Sequence, residues 1–141
     1  MIGREGVPSM FPPARLLSIG ERLSSAEAFL KLARKELEGA RAKGDQYSER
    51  EAAEKLFHAL EEALTARIQK YGVPPPDSHG EIRYWLASKK DIEYEGLFRR
   101  AYLSLHVSAY YRGWVDRAEI DKCSARIQVA IEKVGRDLKR R

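Results

Sequence analysis

The chain has no asparagine and a single cysteine, and its six prolines fall in only two places. One cysteine excludes an internal disulfide and a cysteine-rich metal site. No run approaches the roughly 18 consecutive apolar residues of a membrane span. The opening stretch MIGREGVPSMFPPARLL lacks a charged start followed by a long apolar run, so no secretory signal is expected there. A cytoplasmic location is the expectation. Depleted amides beside plentiful Lys, Arg and Glu suit a thermophile, where ion pairs cost less to desolvate. Alternating strand patterns of useful length are absent, as are fixed-period repeats. So are a Gly-rich phosphate loop, a nucleophile elbow and a paired-carboxylate motif.

What is present is 141 residues, 43% hydrophobic and 33% charged, which suits one core under a highly charged surface. The net charge is +5. Residues 1–70 hold 12 basic and 11 acidic side chains, and residues 71–141 hold 14 and 10. Most of the excess sits in the last nine residues, KVGRDLKRR, where five basic groups face Asp137. A basic tail either touches phosphate or complements the macrodipole of a helix end.

Pro8, Pro12 and Pro13 lie near the start, and Pro74, Pro75 and Pro76 in the middle. Elsewhere the chain is free to form long helices. Residues 1–22 read as an extension, partly flexible, with a short helix through ARLLSI that Gly20 would end. The bundle is expected over residues 23–141. Ser24 with Glu27 has capping-box spacing and opens the first helix, with an apolar stripe of Ala26, Phe29, Leu30, Ala33, Leu37 and Ala40. KGD at 43–45 is a tight break, and a second helix runs from about Gln46 to Tyr71, ended by Gly72. So short a connection makes these antiparallel neighbours. Asp77 or Ser78 caps a shorter third helix. The fourth spans about Tyr94–Trp114, and Asp116 with Glu119 caps the fifth, whose buried stripe includes Ile120, Cys123, Ile127 and Val134. The expected fold is all-α, an antiparallel up-and-down bundle of four long helices plus one short.

The fourth helix is apolar nearly all round, so it is either central or covered by a partner subunit. Its polar groups then need a reason. Arg99 and His106 are seven residues apart, close to two α-helical turns, and so share a side. Arg100 lies about 100° further round. Tyr102 and Tyr110 lie near the same stripe. Histidine moves protons near neutrality, and arginine fits a phosphate with paired hydrogen bonds. Arg99 and His106 are therefore the candidate catalytic pair for metal-free RNA cleavage, with Arg100, Tyr102 and Tyr110 as candidate binding residues. The competing reading is a helix whose arginine reaches solvent and whose histidine bonds a backbone carbonyl or a tyrosine. His58 reads as a packing residue and His79 as help for the third helix cap. The three histidines are scattered in sequence without a carboxylate at ligand spacing, so no metal and no cofactor are expected. Trp85 and Trp114 read as core or dimer anchors.

The stretch SSAEAFLKLARKELEGARAKGDQYSEREAAEKLFHALEEALTARIQKYG resembles the opening helical hairpin of HEPN domains. LFRRAYLSLHVSAYYRGW followed by D-x-x-E-I is similar to archaeal HEPN-like proteins of the PaREP type. The likeness covers about residues 24–138. It implies an HEPN-like bundle that dimerises and, in ribonuclease members, an Arg followed after four to six residues by His. Arg99 and Arg100 both meet that spacing to His106. Active members often place a small polar residue after the Arg, where this chain has Arg100 or Ala101. The toxin branch places Tyr two after the His, where this chain has Ser108, with Tyr110 four after. The resemblance implies a homodimer that cleaves or binds RNA or a nucleotide. The alternative it implies is a non-catalytic dimeric module, such as the helical partner of a small nucleotidyltransferase.

Overall fold

Hydrophobic stripes at helical spacing become five antiparallel helices. The computed structural model describes residues 17–139. They are α1 (Ile19–Lys43), α2 (Gln46–Gln69), α3 (His79–Ser88), α4 (Ile92–Ala101) and α5 (Arg117–Lys139). α4 continues without a break into a π-helical segment, Tyr102–Tyr111. No strand occurs among the described residues, and none of their helices is long and apolar enough to cross a membrane. The fold is an all-α bundle.

Ser18, not Ser24, caps α1. The Ser18 hydroxyl accepts from the Glu21 backbone N–H, and the Glu21 carboxylate accepts from that of Ser18. The Ser18–Glu21 and Ser24–Glu27 pairs have the same capping-box spacing, and the earlier one wins because the added turn finds partners. Arg22 is buried and meets Glu62 at 3.0 Å, and Leu23 packs on the core. Gly20, expected as a terminator, sits in the first turn, where its cost of about 1 kcal/mol is offset by those contacts. Helix therefore starts inside the stretch read as an extension. The rest of that stretch up to residue 16, and Arg140 and Arg141 of the basic end, lie outside the described residues.

The break after α1 forms as its residues dictate. Gly44 takes a left-handed φ of 67° and its N–H closes the helix end, while Asp45 accepts from Ser48 N–H to start α2. The expected stripes are buried: Leu30, Ala33 and Leu37 on α1; Leu56, Phe57, Leu60 and Leu64 on α2; Ile120, Cys123, Ile127 and Val134 on α5.

The central helix is α2, however. It buries residues on nearly every side, five of them alanines (Ala52, Ala53, Ala59, Ala63, Ala66), which let neighbouring helices approach closely. The α4 rod buries one side only, through Phe98, Ala101, Leu105 and Ala109, and leaves Leu103, Tyr111 and Trp114 exposed. Of the two tryptophans, Trp85 packs partly against the core and Trp114 lies on the surface.

The π segment changes the phase of the rod. Its backbone bonds run to the fifth preceding residue, as in Arg112 N–H donating to Val107 O at 2.9 Å. A π turn takes up more residues than an α turn, so the seven residues from Arg99 to His106 no longer make two full turns. The Arg50 guanidinium donates twice to Tyr110 O, at 3.2 and 2.7 Å, supplying a partner near the segment's end. Gly113, at φ 73°, then turns the chain away, with Arg50 only 3.4 Å from where a Cβ would stand.

Glu119 ties this rod to α5. Asp116 caps α5 by accepting from Glu119 N–H, but the Glu119 side chain points elsewhere. It takes two bonds from Arg100, at 2.8 and 2.7 Å, and one from Ser104 at 2.7 Å. Arg100, followed by desolvation acting the other way and then Ser104, sets the balance that holds the Glu119 carboxyl down at about 2. Its folded value lies below the ordinary 4.5, so its stabilisation is full above that pH and is lost as pH falls toward about 2. Glu119→Gln should lower stability by about 1–2 kcal/mol at neutral pH, allowing for partial solvent screening. Thermal midpoints of variant and wild type should converge as pH drops through that window. Parallel curves with a constant gap would show that the ion pair contributes nothing.

Candidate functional site

One face of α2 carries Glu54, Phe57, His58 and Glu61, which helical spacing places side by side. The π segment and the N-terminus of α3 close over it. His106 Nδ1 lies 2.8 and 3.0 Å from the two Glu54 oxygens. A carboxylate only accepts, so Nδ1 carries the hydrogen, and the neutral ring held this way has its lone pair on Nε2. His58 Nε2 is 3.6 Å from Glu54, and its Nδ1 is 2.8 Å from Glu61. His79 Nε2 meets the other Glu61 oxygen at 2.9 Å. The rings of His79 and His106 are 4.9 Å apart, edge to face. Three histidines scattered in sequence thus form one closed circuit: His106, Glu54, His58, Glu61, His79 and back to His106.

His79 does not cap α3; Ser78 does, accepting from Glu81 N–H. The first position of the helix instead aims the His79 ring at the cluster. His58 is more than packing, because Glu61 above all, against the opposing effect of burial, raises its imidazole above the ordinary value. No group of three or more ligating side chains suited to a metal ion occurs among the described residues.

Aromatic rings hold the imidazoles in place. Phe57 stacks on His106 at 5.1 Å and meets His79 at 5.3 Å. Tyr102 stands 5.3 Å from each of these histidines. Tyr110 and Tyr111 lie 6.3 and 4.9 Å from His106. Glu51, then burial and Glu54, push the Tyr110 hydroxyl up, so it remains a donor at neutral pH. The His106 side chain is 12% exposed and that of His79 37%.

The arginines are placed differently from each other. Arg100 is committed to Glu119. Arg99 is 57% exposed and lies 3.6 Å from Glu95, which also stands 3.6 Å from Arg83 of α3. Pairs this long and exposed contribute little. Arg83 is one turn from His79 on α3, and Arg99 is three residues before Tyr102. The structure therefore brings together Tyr102, His106 and Tyr110, sets Arg99 further along the same rod, and turns Arg100 toward α5. Sequence reasoning missed Glu54, Glu61, His79 and Arg83. The Glu54–His58–Glu61 spacing on one helix was a readable signal, whereas the approach of α3 was not.

Cys123 is no rival nucleophile. Burial first, then Glu119, pushes its thiol up to about 12, which keeps it protonated.

Comparison with protein-family models, with curated proteins and with solved structures gives no match for this chain.

Proposed function

We propose that the chain is an HEPN-like, metal-independent ribonuclease in which His106 works as the general base and Arg99 engages the phosphate. The observation that supports this reading most is the Glu54–His106 pair. A carboxylate on Nδ1 fixes both the tautomer and the ring orientation, and leaves Nε2 to take a proton. A histidine serving only as a packing residue would be expected on a backbone carbonyl or a tyrosine, and this one is held by a carboxylate. Arg99 and Arg83 supply positive charge along the same rod and α3, held only by weak pairs to Glu95. Tyr102 and Tyr110 offer ring faces on which bases stack.

Leu103, Tyr111 and Trp114, on and just after the π segment, are large apolar side chains left exposed, the two rings at 67% and 71%. Such exposed apolar side chains favour a homodimer through this rod. The same side chains would suit a non-catalytic module that docks a small nucleotidyltransferase.

The test is cleavage of mixed tRNA and mRNA in excess chelator at elevated temperature. Wild type should cleave, and His106→Ala, purified identically and folded by circular dichroism, should be slower by about 100-fold or more. Equal cleavage by both proteins would assign the activity to a contaminant, and no cleavage by either would leave the docking module as the reading.

A further inference from the structure

Cleaving RNA without a metal needs two proton transfers. The 2′-hydroxyl must lose a proton as its oxygen attacks phosphorus, and the departing 5′-oxygen must gain one. His106 provides for the first. Nothing in the Arg99–His106 pair provides for the second, since arginine holds its protons throughout.

We propose that His79 is the general acid of the same site, so that each chain carries its own acid–base pair. This rests on the ribonuclease reading above. Three observations place His79 in the role. Its ring lies 4.9 Å from that of His106. Like His106, it is anchored through one ring nitrogen by a carboxylate, Nε2 to Glu61 at 2.9 Å, which leaves Nδ1 for the substrate. The two anchors are separate residues two turns apart along one face of α2, so protonating one ring does not remove the other's support.

The roles follow from access. His106 is the more enclosed, under Phe57, Tyr102 and Tyr111. His79 also borders an open cavity of about 420 Å³, shared with Arg22, Glu61, Glu62 and Asp77. Solvent can therefore reload His79 with a proton between turnovers.

The step balances within these groups. His106 Nε2 accepts the 2′-hydroxyl proton as the O2′–P bond forms. The P–O5′ bond breaks, and the His79 imidazolium gives its Nδ1 proton to the 5′-oxygen. The products are a 2′,3′-cyclic phosphate and a 5′-hydroxyl. His106 leaves charged and His79 neutral, and exchange with water restores both.

The experiment separates base from acid by leaving group. Full-length wild type, His79→Ala and His106→Ala are compared in excess chelator on an RNA oligonucleotide and on uridine 3′-(4-nitrophenyl phosphate), whose leaving group departs without a proton. His79→Ala should cleave the RNA about 100-fold more slowly than wild type yet match it within about threefold on the nitrophenyl ester. His106→Ala should lose about 100-fold on both. His79→Gln, which keeps a donor toward Glu61, gives the same reading if the alanine variant does not fold. A His79 variant that cleaves RNA at the wild-type rate, or loses equally on both substrates, overturns the acid role and leaves the His106 reading standing. Wild type that cleaves neither substrate overturns both.

Discussion

Glu54→Gln should lower kcat for RNA cleavage by roughly 10²–10⁴-fold while leaving KM within about twofold. The substitution keeps the shape of the side chain and removes its charge. Glutamine presents both a carbonyl oxygen and an amide to His106, so the ring can be held in either tautomer. With the amide donating to Nδ1, the hydrogen moves to Nε2 and the base is lost. The carboxylate also stabilises the imidazolium that forms once His106 has taken a proton, and a neutral amide does not. Neither effect acts on bound substrate before the chemical step, which is why the loss should fall on kcat. In the ribonuclease reading Glu54 is a positioning residue that acts through His106, at 2.8 Å. A merely structural Glu54 would predict something else: a lower thermal midpoint, with kcat and KM changing together or not at all. Unchanged kcat in a folded Glu54→Gln protein would remove the observation on which the ribonuclease reading leans most.

The fold was far more legible in the sequence than the site, for reasons visible in particular residues. Leu30, Leu37, Leu56, Leu64, Ile127 and Val134 repeat at the α-helical period and are buried, because one face of each helix must leave water whatever its neighbours are. Gly44 with Asp45, and Ser78 ahead of α3, are local signals that act within a turn. Ser18 and Ser24 offered the same local signal, and the choice between them was made at a distance, by Glu62 and the core. The fourth helix misled in two ways. Its composition suggested a position either central or covered by a partner subunit, and the central place goes to α2, since alanines let a helix be surrounded as well as leucines do. Its spacing placed Arg99 over His106 only for an unbroken α-helix. A run of Leu, Tyr, Ala and Val does not distinguish an α from a π turn, and the two side chains take different partners, Arg99 beside Glu95 and His106 on Glu54. The contacts that replaced the expected pair join residues 52 apart, as in Glu54 with His106, or rings from different helices, as in His79 with His106. Periodicity carries no information about such contacts.

Phe57→Ala should be the most damaging core substitution near the site, costing about 3–5 kcal/mol and lowering the thermal midpoint by roughly 10–20 °C. Phe57 is fully buried on the central helix and touches five other rings: His58, His79, Phe98, Tyr102 and His106. Truncation leaves a cavity that α2 cannot close without moving α3 or the π segment. Ile127→Ala on α5 is the matched control. It is also fully buried, should cost about 2–5 kcal/mol, and has no ring with which to contact the histidines. If Phe57 served stability alone, both variants would cleave RNA equally well at a temperature where both are folded. If it is the platform that sets the spacing of His79 and His106, the Phe57 variant alone should fall by about 100-fold, since displacement of reacting groups by about 1 Å is that costly. Phe57→Leu refines the comparison. It restores most of the volume without the ring, so it should recover much of the stability and less of the activity. Full recovery of both would mean that bulk, and not the aromatic face, positions the two imidazoles.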